Sequence, residues 1–278
     1  MESNYTLAGI EITAYIPDDM NYRNGRLLGN FLVETVRDPH AFHFNISNEL
    51  PELKFPVVTR QDSYTVYGNE ECQIRCIGEK SSPHMTVIHK GKEHFVYLKA
   101  SDYPNGITEK TVLNALSLEH LVTQISGFVF HCSYIEHNGK AILFTAPSGT
   151  GKSTQATLWN KYRDTQIING DRAVIRIENE QVLACGIPFA GSSVYCENRT
   201  LPVAAIVYLA QAPQTTIRKM RGYEAFSKLW EGVSVNTWDK EDMANVSYAV
   251  EQTASKVPVY YLACTPDESA VKALEGVL

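Results

Sequence analysis

Over the first hundred positions, short runs rich in β-branched and aromatic residues recur at Gly9–Ile16, Ser63–Tyr67, Met85–His89 and His94–Leu98. Such composition fits a pleated, half-buried surface, so each run is predicted to be a strand. Gly91-Lys92 and the stretch holding Pro51 and Pro56 supply turns and loops between them.

The pattern changes at Thr108. Leu118, Leu121, Val122 and Ile125 recur at spacings of three and four. With Thr108 as cap and Gly127 as stop, one amphipathic helix is predicted over 108–126. Phe128–Glu136 reads as a strand, and Asn138-Gly139 followed by the apolar run Ala141–Thr145 reads as a hairpin. The reason is that both central positions of a type I′ turn need positive φ. Next come a helix of about a dozen residues and strands at Gln166–Asn169, Ala173–Ile177 and Ala204–Leu209. The last sixty residues or so look helical around one apolar strand, Val257–Ala263. Trp159 and Trp230 fall on helices and are expected in the core. Tyr103-Pro104-Asn105-Gly106 interrupts the pattern. The fold expected is therefore a β-rich N-terminal module over residues 1–105 and an α/β domain over 106–278.

The segment Ala146-Pro-Ser-Gly-Thr-Gly-Lys-Ser153 leaves an apolar strand and enters a helix. This is a Walker A phosphate loop in its required context, with Ala146 where the pattern has its first glycine. Gly149 and Gly151 let successive amides turn toward an anion at a helix N-terminus. Ser148, Gly149, Thr150, Gly151, Lys152, Ser153 and Thr154 are thus expected to hold a nucleoside triphosphate such as ATP. Lys152, taken as an exposed loop residue, is expected on its β and γ phosphates and the Ser153 hydroxyl on Mg²⁺. Further along, Gln166-Ile-Ile168 runs into Asn169-Gly170-Asp171-Arg172. Asp171, at a strand end near the loop, is expected as a second Mg²⁺ contact or a catalytic group, against the alternative of a turn aspartate.

His131 is placed by register. If His137 faces Lys140, counting back sets His131 opposite Ala146, beside the phosphates and available as a base. Gly186–Ser193 and Arg199 form a loop rich in small residues, read as a tight strand connection with contact to the acceptor or phosphates as the other possibility.

Composition narrows the partners. With 25 Lys+Arg against 31 Asp+Glu the formal charge is −6. No basic block is available to release counterions from DNA or RNA, so nucleic-acid binding is not expected. No apolar run nears the roughly 18 residues that cross a bilayer, and the start lacks a signal-peptide pattern, so no membrane span and a cytoplasmic location are expected. Cys72, Cys76, Cys132, Cys185, Cys196 and Cys264 lack a second pair at zinc spacing and read as buried free thiols.

Together His131, Asn138-Gly139, Ala146–Thr154 and Asn169–Arg172 resemble the C-terminal domain of HPr kinase/phosphorylase and its relatives in the phosphoenolpyruvate carboxykinase-like superfamily. The resemblance covers roughly residues 125–210. It implies an α/β P-loop kinase core using ATP and Mg²⁺, with a strand histidine before the loop and acidic residues after it. HPr kinase has two aspartates in the second motif, whereas this chain has Asp171 alone, matching either member depending on alignment. The base is therefore His131 or Asp171. The function expected is a Mg²⁺-ATP-dependent kinase acting on a hydroxyl of a peptide, protein or small molecule. The alternatives are a nucleotide-binding module with little catalysis and a carboxykinase-type or phosphorolytic enzyme on the same core.

Overall fold

The computed structural model describes residues 1–278 except Asn24, Glu70, Glu71, Lys80 and Ser192. The chain divides into two compact units, Met1–Ser117 and Leu118–Leu278.

The first unit runs β1 (Glu2–Leu7), β2 (Ile10–Tyr15), β3 (Tyr22–Arg23), α1 (Arg26–Gly29), β4 (Leu32–Val33), β5 (His40–Ser47), β6 (Val57–Arg60), β7 (Tyr64–Gly68), β8 (Gln73–Glu79), β9 (Ser82–Lys90), β10 (Glu93–Lys99), β11 (Ile107–Thr108) and α2 (Glu109–Ala115). Among the described residues it holds a nine-stranded sheet in the order β4-β1-β2-β5-β10-β9-β8-β7-β6. Alternation decides which face is buried: in β10, His94, Val96 and Leu98 point inward while Phe95 and Tyr97 between them are partly exposed. All four strands predicted here are present.

The second unit runs α3 (Leu118–Leu121), β12 (Gly127–His131), β13 (Ser133–His137), β14 (Lys140–Thr145), α4 (Lys152–Arg163), β15 (Gln166–Asn169), β16 (Arg172–Glu178), β17 (Gln181–Gly186), β18 (Thr200–Gln211), β19 (Thr216–Met220), α5 (Gly222–Trp230), β20 (Val233–Ser234), α6 (Lys240–Lys256), β21 (Val259–Cys264) and α7 (Glu268–Glu275). Strand β18 organises it. Its start pairs antiparallel with β17, and its later part pairs parallel with both β14 and β21. Strand β14 is buried on both faces from Ala141 to Thr145, which explains its uninterrupted apolar sequence. On one side Ile142, Phe144, Val207 and Leu262 meet Ala156 and Trp159 of α4 and Val271 and Leu274 of α7. On the other, Phe128, Phe130, Leu143 and Ile206 meet Leu229 of α5 and Val246 and Val250 of α6. Trp159 is fully buried, and Trp230 is partly buried against the second cluster. The molecule is thus mixed α/β, and no helix among the described residues is long and apolar enough to cross a membrane. Five cysteines are buried and Cys72 is half-buried, all with free thiols.

Two predicted elements are corrected. The single helix over 108–126 is three pieces, α2, α3 and a 3₁₀ turn at Val122–Ile125. Ser117 and Ser126 adopt φ of 52° and 54°, left-handed positions that interrupt and then end the helical path, so Gly127 opens β12 instead of capping a helix. The strand over Phe128–Glu136 is two. At Cys132 the chain leaves its partner β16 and joins β14, so β12 and β13 belong to different ladders.

Candidate functional site

The site is built on the turn that leaves β14. Asn138 and Gly139, at φ 51° and 72°, form the expected hairpin turn, and His137 pairs with Lys140. This fixes the register of β14, which ends at Thr145. The chain then passes through Ala146–Gly151 into α4, with Gly149 at φ 77° and Gly151 at φ 116°. No atom would touch an added Cβ at Gly149, and at Gly151 only the Thr154 side chain comes near, at 3.9 Å. Glycine is required there by backbone conformation and not by crowding. Helix α4 begins at Lys152, so its unpaired first-turn amides and the positive end of its dipole lie at this loop.

Lys152 departs from expectation. It is 7% exposed, and its Nζ donates to the carbonyls of Ala146 at 3.0 Å and Pro147 at 3.4 Å. Burial pushes its pKa down, with Asp171 opposing. The ammonium clamps its own loop, so it is a buried first-turn residue and not an exposed one.

A cavity of about 590 Å³ opens beside the loop, with Ser148, Gly149, Gly151, Lys152, Ser153 and Thr154 on one wall and His131 and Asp171 on another. Thr150 is absent from that wall; its N–H donates to Pro147 O within the loop at 3.3 Å. Asp171 is set by Asn169, which sequence reading passed over as a strand end. Asn169 is fully buried; its Oδ1 accepts from the amides of Asp171 and Arg172 at 2.9 and 3.0 Å, and its Nδ2 donates to Ile187 O at 2.9 Å. One amide thus shapes the aspartate's turn and ties it to the next loop. A polar residue closing an apolar run just before Gly-Asp was the available signal. Gly170 O accepts from Ser133 Oγ and Ser153 Oγ at 3.2 and 3.3 Å, joining this turn to the start of α4.

His131 reaches the cavity by another route than the hairpin. That ladder stops at Ser133–Phe144, and His131 instead pairs with Arg172 on β16. Cys132 N–H donates to Asp171 O at 3.0 Å, which keeps the two segments side by side. His131 Nε2 lies 3.5 Å from Asp171 Oδ1, and Arg172 Nε lies 3.3 Å from Oδ2. His131 first, then Arg172 and Lys152, hold the Asp171 carboxyl below the ordinary aspartate value, with burial opposing. Asp171 is therefore ionised at neutral pH.

The third wall comes from the loop after β17. Gly191, at φ 57°, lies against Asp171, and a Cβ there would come within 2.7 Å of the carboxyl carbon. Ser193, Val194 and Tyr195 line the cavity, the last two 61% and 43% exposed. Ser192, within the loop singled out from the sequence, lies outside the described residues. Arg199 turns to Glu136, with two bonds of 2.9 Å, and does not line the cavity.

No curated protein matches this sequence. Among solved structures, the HPr(Ser) kinase/phosphatase from Coxiella burnetii aligns over 54% of this chain and 95% of its own, at 10% identity and a TM-score of 0.33, too distant a likeness to define the fold. A family profile gives the match that decides membership. It covers residues 110–275, more than half of the chain and nearly all of the second unit, and by it the chain belongs to the family described as SynChlorMet cassette protein ScmC.

Proposed function

We propose that this chain is a kinase that moves the γ-phosphoryl group of ATP, or of a similar nucleoside triphosphate, onto a hydroxyl of a peptide, protein or small molecule. The observation that supports it most is a single cavity shared by a glycine loop at a helix N-terminus, Lys152, Ser153, Asp171 and His131. In this reading the loop amides from Ser148 to Thr154 hold the phosphates. Lys152 exchanges its two carbonyl partners for phosphate oxygens, which are stronger acceptors. The acceptor oxygen bonds to the γ phosphorus as the bond from that phosphorus to the β–γ bridging oxygen breaks, and ADP leaves. The hydroxyl proton passes to His131 Nε2 or to the Asp171 carboxylate. Ser153 Oγ and the Asp171 carboxylate line the same cavity and are hard oxygen donors of the kind Mg²⁺ takes. Mg²⁺ held there would neutralise charge on the transferred group.

One observation favours a second reading. Asp171 is the lone carboxylate among the described residues lining the cavity, which suits a nucleotide-binding module that transfers nothing. Calorimetric titration of ATP with Mg²⁺ into the full chain, followed by transfer of label from the γ phosphate to hydroxyl acceptors, separates the two. The kinase reading expects binding, label transfer, and a loss of at least about tenfold in affinity in Lys152→Ala. Binding without transfer to any acceptor class leaves the module. Absence of binding removes both.

A further inference from the structure

A second cavity, of about 630 Å³, shares Gly149, Gly151 and Thr154 with the first, but its remaining walls differ. They come from the ends of β18 and β21, through Leu209, Gln211, Cys264, Thr265 and Pro266, and from Gln155 on α4. In the sheet, β14 has β13 and β15 on one side and β18 and β21 on the other. The first cavity draws its walls from the β15–β16 turn and the second from β18 and β21, so the glycine loop separates them.

We propose that the nucleoside of the bound nucleotide sits in this second cavity, between the ends of β18 and β21, while the first cavity receives the acceptor. The inference rests on the nucleotide-binding reading given above and adds its direction. A polyphosphate held by the loop amides has two ends, and the chemistry of the walls assigns them. The groups able to take a hydroxyl proton, Asp171 and His131, line the first cavity, so the transferable phosphate points there. The described walls of the second hold no carboxylate and no imidazole. They offer amides from Gln155 and Gln211, hydroxyls from Thr154 and Thr265, and the apolar surfaces of Leu209 and Pro266. Apolar walls with a few placed polar groups are what a base and ribose require, and the volume falls in the usual range for small ligands, about 300–1,000 Å³.

Gln155 points the same way. It is 3% exposed, its Nε2 donates to Cys264 Sγ at 3.2 Å, and its Oε1 has no partner. A thiol is a weak acceptor, and a buried amide oxygen left unpaired is unfavourable. Turned toward the cavity, this amide would meet a base edge that is a better partner than the thiol.

The test compares ATP with inorganic tripolyphosphate, which has the phosphates and lacks the nucleoside, by calorimetry on the full chain with Mg²⁺. Ala212→Trp and Thr265→Trp fill the second cavity from positions beyond the strand ends, and Val194→Trp fills the first. The two second-cavity variants are expected to weaken ATP tenfold or more and to change tripolyphosphate less than twofold. Retained tripolyphosphate binding also shows that the loop is folded. Val194→Trp, on the wall that faces the γ phosphate, is expected to change ATP and tripolyphosphate by the same factor. The proposal is overturned if ATP affinity is unchanged in both second-cavity variants, if both lose the two ligands equally, or if Val194→Trp is the variant that selectively loses ATP. Wild-type protein that binds neither ligand overturns the function proposed above, a result distinct from any of these.

Discussion

The second unit contains two histidine–aspartate pairs, and their surroundings give them opposite characters. His120 Nδ1 meets Asp242 at 2.9 and 3.1 Å, and Asp242 is 1% exposed. Its oxygens also accept from Thr123 Oγ1 and Asn236 Nδ2, each at 2.9 Å. Asp239, the neighbouring carboxylate, is occupied capping α6 through the amides of Glu241 and Asp242. Residue types alone would make His120, Asp239 and Asp242 a candidate metal cluster. The donors already seated on those carboxylates make it a closed structural knot tying α3 to α6. His131 and Asp171 stand 3.5 Å apart, both partly exposed and both lining a cavity. A carboxylate whose lone pairs are filled by its own protein holds structure, whereas one left with capacity toward open space is available for chemistry.

The largest effect that would break this contrast is on rate. Asp171→Asn keeps the shape of the side chain and removes its charge, so label transfer should fall by about 10² to 10⁴. The urea midpoint should move far less than on removal of the buried Asp242. A variant that transfers at the wild-type rate would reduce Asp171 to a turn residue.

The mirror experiment is Asp242→Ala. Removing this buried carboxylate leaves His120 Nδ1, Thr123 Oγ1 and Asn236 Nδ2 without that acceptor, at a cost of about 1–3 kcal/mol. The chain has three tryptophans, Trp159, Trp230 and Trp238, all in the second unit, so tryptophan fluorescence during urea unfolding reports that unit alone. A shift under about 1 kcal/mol would show that the knot is not structural, and the contrast between the pairs would lapse.

What the sequence revealed of these regions depended on how local the determinant was. The glycine loop and the Asn138-Gly139 hairpin are specified by adjacent residues with special backbone needs, and both stand where they were expected. The hairpin of β16 and β17 was missed because its turn uses Asn179 and Glu180 at φ 48° and 65°, without the glycine that marks such turns. Ser117 and Ser126 broke a helical pattern from left-handed positions that serine seldom takes. His131 reached its predicted neighbourhood although the register argument failed, because Cys132 moves the chain between ladders and its amide then holds the Asp171 turn. Lys152 was misjudged because its partners, the Ala146 and Pro147 carbonyls, depend on the three-dimensional curl of the loop.

The smallest effect, and the one that sharpens the contrast most, is the dependence on pH between about 6 and 8. Hydrogen bonding to Asp242 raises the His120 pKa, with Asp242, Asp239 and Glu241 adding charge and burial opposing. A histidine whose folded pKa is raised stabilises fully below its unfolded value, near 6.5, and that contribution is lost as pH rises through the folded value. The tryptophan-detected urea midpoint should therefore decline modestly from pH 6 to 8, and His120→Gln should flatten the decline. Asp171 has the opposite sign: its pKa is lowered, so its contribution is present above the unfolded value near 3.9 and is lost only as pH falls through the lower folded value. It adds no slope in this window. His131→Ala should lower the transfer rate by about 10² to 10⁴ while leaving the stability slope intact. If His120→Gln lowered the transfer rate as far as His131→Ala, or His131→Ala removed the stability slope, the two pairs would be exchanging roles and the division between closed knot and open site would be wrong.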